Sequence, residues 1–175
     1  MGKTVGIIGF GNTGSRFAKK LSGFDCDILV YDKYKKDINV PYVRAVEMEE
    51  IFEKSDILSL HIPLTDETRY LVNEKFIHQF KKPFYLINTS RGKNLNTADL
   101  VKALESKKIL GACLDVSEYE SASFENMQAA EIPVPMQYLI NSSNVILAPH
   151  IAGWTHESNY KMSYYLAEKI LEKFG

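Results

Sequence analysis

The sequence predicts an α/β protein: a doubly wound parallel sheet of about six strands in a three-layer α/β/α arrangement. Two observations carry that expectation. Short β-branched or aliphatic runs recur at 4–9, 27–31, 57–61, 84–88, 109–115 and 144–148, and strands buried on both faces read as such near-continuous apolar runs. Amphipathic stretches at 13–21, 48–53, 74–80 and 97–106 fall between them, and strands alternating with helices build parallel βαβ units.

The elements follow in order. The first run ends in glycines and leads into the first helix. The helix at 97–106 is opened by Asn96 or Thr97 as N-cap and sets Leu100, Val101 and Leu104 on one face. A last helix spans 157–174. Residues 117–143 break the rhythm, being rich in Ser, Glu and Asn with Pro133 and Pro135. Connections that long tend to be functional, and short helical turns are expected within it at 127–130 and 136–140.

With 175 residues, 45% apolar and 25% charged, the chain has the make-up of one globular domain able to bury a full core. Its 21 Lys and Arg against 22 Asp and Glu leave no electrostatic footprint for nucleic acid or an anionic membrane. No apolar stretch is long enough to span a bilayer, and the N-terminus lacks the hydrophobic region of a signal peptide. Cys26 and Cys113 stand far apart, each in an apolar run, so neither a disulfide framework nor a metal site is written here. A reducing, cytoplasmic compartment is the expectation.

The first strand runs into Gly9-Phe10-Gly11-Asn12-Thr13-Gly14, a G-x-G-x-x-G that opens a helix. Gly9 makes the tight turn, Gly11 admits a pyrophosphate to the backbone, and Gly14 lets the helix pack on the sheet, with free N–H groups and the helix dipole holding the anion. Asp32 ends the second strand, about where the Rossmann-type dinucleotide fingerprint expects an acid for the ribose hydroxyls. That carboxylate disfavours a 2′-phosphate, although Lys33, Lys35 and Lys36 follow and could offset it, so NAD is expected over NADP. A P-loop is disfavoured because Ser15, not lysine, follows Gly14.

In a doubly wound sheet the ligand lies beyond the carboxyl ends of the strands. Three polar clusters stand there: Asn88-Thr89-Ser90-Arg91-Gly92, then Asp115 with Ser117, Glu118 and Glu120, then His150-Ile151-Ala152-Gly153-Trp154. A converging arginine, carboxylate and histidine would make a proton-transfer site with an anion clamp, since guanidinium binds carboxylate bidentately and imidazole titrates near neutrality. His61 reads as a neighbour of the cofactor pocket, and His78 and His156 as surface residues. A Ser-His-Asp hydrolase is disfavoured because no G-x-S-x-G is present.

With these motifs the chain resembles the D-isomer-specific 2-hydroxyacid dehydrogenases, most closely their phosphoglycerate dehydrogenase-like branch. The resemblance runs through the glycine turn, Leu60-His61-Ile62-Pro63-Leu64-Thr65 with Glu67-Thr68, the Ile87 to Gly92 run, Gly111 to Val116, and Pro149 to Thr155. It implies a catalytic set of Arg91 on the 2-oxo acid, His150 as general acid and base, and Glu120 as the carboxylate paired with it. It implies cofactor contacts from Asn12 and Thr13 at the pyrophosphate, Asp32 at the ribose, and Ile62 and Pro63 along the groove. Thr89 and Ser90 would lie near the nicotinamide ribose, with Asp115 and Gly153 at the carboxamide.

Two departures stand out. Ser121 replaces the family's usual proline after the glutamate, and the excursion that follows is long. The family also carries a substrate-binding domain of on the order of 100 residues ahead of its cofactor domain, whereas the first strand here begins at Thr4. With Met1-Gly2 read as an artificial start, residues 1–175 are expected to be the NAD-binding domain of a longer enzyme, without its substrate-binding domain. A small 2-hydroxy or 2-oxo acid substrate and a homodimer are the implied partners. A non-catalytic NAD(H)-sensing module of the same fold is the alternative.

Overall fold

The computed structural model describes residues 2–120 and 132–175. The expected turn at 127–130 and Ser121 lie outside the described residues. The elements run β1 (Thr4–Ile8), α1 (Asn12–Leu21), β2 (Asp27–Tyr31), β3 (Arg44–Ala45), α2 (Met48–Lys54), β4 (Ile57–Leu60), α3 (Glu74–Gln79), β5 (Phe84–Asn88), a 3-10 turn (Gly92–Asn94), α4 (Thr97–Glu105), β6 (Ile109–Leu114), α5 (Val134–Asn141), β7 (Val145–Leu147) and α6 (His156–Phe174).

Among the described residues the strands form one sheet in the order β3-β2-β1-β4-β5-β6-β7, every pair parallel. The count is seven rather than about six. The added strand, β3, is two exposed residues at the sheet edge, with no apolar run to announce it. The order reverses at β1, and the chain leaves β1 for α1 on one face and β4 for α3 on the other, which opens a crevice at their carboxyl ends, the switch point at which such folds bind ligands.

Strand residues alternate between two cores. On one face Ile8, Leu29, Leu58, Leu60, Leu86 and Leu114 pack against Ile51 of α2, Phe76 and Ile77 of α3, Leu100 and Leu104 of α4, and Leu139 of α5. On the other, Val5, Ile7, Ile28 and Val30 pack against Ala18 of α1. Side-chain caps fix two of the helices: Asn73 accepts the Phe76 N–H at α3, and Asn96 accepts the Asp99 N–H at α4. The second of these settles the choice between Asn96 and Thr97.

Among the described residues the α1 face is not finished across the sheet. Its register continues from Ile57 and Ser59 to Tyr85 and Ile87, then Cys113, then Ile146. Tyr85 is 50% exposed, Ile146 67%, and Cys113 is also exposed. The helix α6 begins one residue before the expected start, with Thr155 and Ser158 forming a capping box, and contains no buried residue. The expected turn at 136–140 is the middle of α5, which starts with Pro135 in its first turn, where a missing N–H costs nothing.

Candidate active site

The glycine turn connects β1 to α1 at the crevice. Gly9 sits at φ 92, and a side chain there would run into the His61 carbonyl oxygen. A side chain at Gly14 would overlap the Gly9 carbonyl, so α1 lies directly on the turn. The N-terminus of α1 has Gly11 as cap and no side-chain cap bond, leaving its first N–H groups, those of Asn12 and Thr13 among them, for an outside acceptor. Space beside Gly11 is open, with no atom within 4 Å of a Cβ built there. These are the features a pyrophosphate needs.

Asp32 follows β2 and braces this turn. Its Oδ2 accepts the Phe10 N–H at 2.7 Å, and its Oδ1 accepts those of Tyr34 and Lys35 at 2.9 Å each. Partial burial pushes the carboxyl up, but the three backbone bonds and the Lys35 charge outweigh it and hold Asp32 below the usual aspartate range. It is therefore an anion at any physiological pH, with lone pairs left for ribose hydroxyls.

A cavity of about 340 Å³ runs from the turn along the crevice, lined by Gly9, Gly11, Asp32, Lys33, His61, Ile62, Pro63 and Glu67 among others. His61 is the pocket neighbour the sequence suggested. Its Nε2 lies 3.0 Å from the Ser59 hydroxyl and its ring 5.0 Å from Phe17. Burial brings its pKa down to about 4, so it is neutral here. His78 and His156 are exposed on α3 and α6.

The carboxyl end of β5 is held by a buried amide network. Asn88 Oδ1 accepts the Ser90 N–H and hydroxyl at 3.1 and 2.8 Å, and Asn88 Nδ2 donates to the Arg91 carbonyl at 3.1 Å. Asn94 Nδ2 donates to Ser90 Oγ and to the Ile62 carbonyl, both at 3.1 Å. Thr89 and Arg91 are thereby turned out while Ser90 is buried. The Arg91 guanidinium bonds only to the carbonyl of Ser90, at 2.6 Å, and forms no ion pair among the described residues. A side chain at Gly92 would overlap the Ser117 carbonyl, so the Arg91 turn lies against the turn that carries Glu120.

Asp115, at the end of β6, is buried and receives the backbone N–H groups of Ile151 and Ala152 at 2.9 Å each. This carboxylate thus fixes the loop after β7 on which His150 and Gly153 lie. His150 takes a left-handed backbone, φ 56, a conformation that costs about 1 kcal/mol or more and persists where surroundings enforce it. Its Nδ1 lies 3.1 Å from Glu120 Oε2, while Glu120 Oε1 accepts the Ser117 N–H at 2.6 Å. Glu118 does something different, with Oε2 accepting the Thr97 N–H at the start of α4 at 2.8 Å.

The expected residues fall into two groups at the carboxyl edge of the sheet. One is Gly9, Gly11, Gly14, Asp32, Ile62 and Pro63; the other is Ser90 and Arg91 beside Glu120, His150, Asp115 and Gly153. Sequence reasoning missed Asn94, whose amide joins the β4 and β5 ends, and gave no role to Glu67, which it named only within a motif and which bonds to Lys33 and Tyr34 across the pocket rim. Neither lies at a strand end, the only place the pattern directed attention.

A parallel sheet with an uncapped glycine turn at its switch point and an acid after β2 defines a dinucleotide-binding domain. The chain belongs to the D-isomer specific 2-hydroxyacid dehydrogenases, NAD binding domain, whose family model matches residues 1–152. It is 41% identical over 174 residues to a glyoxylate reductase from Thermofilum pendens, covering 97% of this chain and 48% of that protein. It is 35% identical to a hydroxypyruvate reductase from Thermotoga maritima, covering 100% and 54%. An NAD-complexed D-isomer specific 2-hydroxyacid dehydrogenase from Lactobacillus delbrueckii ssp. bulgaricus superposes with a TM-score of 0.88 at 33% identity, over 99% of this chain and 54% of that one. The chain spans about half the length of these relatives.

Proposed function

We propose that this domain binds NAD for the interconversion of a small 2-hydroxy acid and its 2-oxo acid, in company with a substrate-binding domain. The nicotinamide, when bound, exchanges a hydride with C2 of the substrate. Asn12 and Thr13 at the α1 N-terminus would hold the pyrophosphate and Asp32 the ribose hydroxyls, while Thr89 and Ser90 would attend the nicotinamide ribose and Asp115 and Gly153 the carboxamide. The free fork of Arg91 binds the substrate carboxylate and steadies the developing charge on the C2 oxygen. Because Glu120 occupies Nδ1 of His150, Nε2 is the nitrogen left to take the hydroxyl proton in oxidation and return it in reduction. Glu120 positions the ring.

The observation that carries this reading is the His150–Glu120 pair, held by the Asp115 clamp. The finer parts of the reading are a phosphoglycerate dehydrogenase-like branch, a homodimer and a cytoplasmic setting. The branch rests on the motif order, and the homodimer on the resemblance. No helix among the described residues is long and apolar enough to cross a membrane. The bare sheet face at Tyr85 and Ile146, and α6 with no buried residue, support a further domain or subunit against this one.

The test is oxidation of NADH against a panel of 2-oxo acids, glyoxylate and hydroxypyruvate included, by the full-length protein and its Arg91→Ala variant. Turnover lost mainly through a raised KM in Arg91→Ala is the expected result. A full-length protein that binds NADH and turns over none of them would point to the sensing module instead.

A further inference from the structure

Three lysines follow Asp32, and any of them could act as the cation for a 2′-phosphate. The structure distinguishes them. Lys35 and Lys36 line a neighbouring depression that shares Asp32 with the crevice and is closed by Val30, Ala45 and Glu47. There the Lys35 ammonium lies 5.3 Å from the centre of the Phe10 ring, and that of Lys36 5.5 Å from the Tyr31 ring and 4.0 Å from Glu47. Only Lys33 lines the dinucleotide crevice.

Lys33 is already engaged. Its ammonium donates to Glu67 Oε1 at 2.8 Å, and the Tyr34 hydroxyl donates to Glu67 Oε2 at 2.6 Å. Both oxygens of Glu67 are thus held, and the backbone beneath is fixed as well. Thr68 Oγ1 accepts the Thr65 N–H at 2.8 Å and donates to the Pro63 carbonyl at 2.7 Å. Glu67, Lys33 and Tyr34 therefore bridge the rim of the crevice that Asp32 also lines.

Resting on the NAD-binding reading above, we propose that Glu67 is a second specificity-determining residue for the dinucleotide. It holds Lys33 in a neutral pair, withholding from a 2′-phosphate the lysine that lines the crevice itself, and so adds to the discrimination that Asp32 begins. A phosphate at that position would have to break the Lys33–Glu67 pair and leave Glu67 as an unpaired like charge beside it.

The test is the affinity of NADH and NADPH, read by nicotinamide fluorescence and calorimetry, for the wild-type protein, Glu67→Gln, Lys33→Met and the double variant. Glutamine keeps an acceptor for Tyr34 and removes only the charge. Glu67→Gln is expected to improve NADPH binding by about tenfold, the effect of one screened charge pair, while NADH affinity moves by less than about threefold. The gain should shrink as salt is raised and vanish when Lys33→Met is added. An NADPH to NADH ratio unmoved by Glu67→Gln, or a gain that survives Lys33→Met, overturns the role of Glu67 and leaves the NAD-binding reading intact. A wild-type protein that binds neither dinucleotide overturns both. Melting temperatures of all four proteins separate a folding defect from a change in selectivity, and the Lys33→Met control keeps the test sound if Glu67→Gln is unstable.

Discussion

Asp32, after β2, and Asp115, after β6, each brace a backbone turn at the carboxyl edge of the sheet, yet the surfaces around them are completed to different degrees. Around Asp32, β1, β2 and β4 are covered on one face by α1 and on the other by the core that includes α2. Around Asp115, β5, β6 and β7 are covered on one face only, His150 is half-exposed, and α6 buries nothing. The nucleotide side is therefore self-sufficient. The side that carries the proposed proton-transfer pair holds its groups in place but, among the described residues, has no wall to exclude water or fix a substrate, effects that supply much of an enzymatic rate.

The sharpest way to break this contrast is at His150. In the full-length protein His150→Ala should lower kcat by about 10²–10⁴-fold, the usual contribution of a general acid or base, with NADH affinity within about threefold of wild type by calorimetry. A parallel loss of affinity would make His150 part of the nucleotide scaffold.

Asp115→Ala should cost about 3–5 kcal/mol in urea unfolding, because two charge-assisted bonds are lost and the N–H groups of Ile151 and Ala152 are left without their acceptor. Faster hydrogen exchange at 150–153, with the glycine turn unchanged, is the expected signature.

His61 gives a pH test of the nucleotide side. Its folded pKa, about 4, lies below the unfolded value near 6.5. The unfolded chain therefore binds the extra proton between those values, and stability falls as pH is lowered from about 6.5 to about 4. The loss is up to about 3 kcal/mol, and His61→Phe should flatten the curve in that window. Asp32 and Asp56, both held below the usual range, contribute their losses at lower pH.

The smallest effect is expected on the bare face. Tyr85→Ser should change stability by less than about 0.5 kcal/mol, whereas Leu86→Ala, one residue on and fully buried, should cost about 2–5 kcal/mol. A large cost for Tyr85→Ser in this chain alone would mean that the face is already covered.

Much of this was legible in the sequence because it lies in local pattern. Apolar runs marked the strands of the central sheet, and the glycine spacing with Asp32 marked the switch point. Arg91, Glu120 and His150 were singled out because parallel topology sends strand ends to one edge. What was not legible is tertiary. Arg44–Ala45 is too short and too exposed to signal a strand. Asp115 read as a polar residue at a strand end, but nothing local says that its acceptors hold the backbone 36 residues on. Glu67 acts on Lys33 across 34 positions, and Asn94 joins the β4 and β5 ends through a side-chain amide. Amphipathic patterning placed α6 well but could not say that neither of its faces would be buried in this chain.

The most direct test of the central claim, that the nucleotide side is complete in itself, is calorimetric titration of NADH and NADPH into the 175-residue chain and its Asp32→Ala variant. One equivalent of NADH should bind, NADPH should bind at least about tenfold more weakly, and Asp32→Ala should erase most of that difference. Failure of the chain to bind NADH, or equal binding of the two dinucleotides by the wild type, would contradict the account.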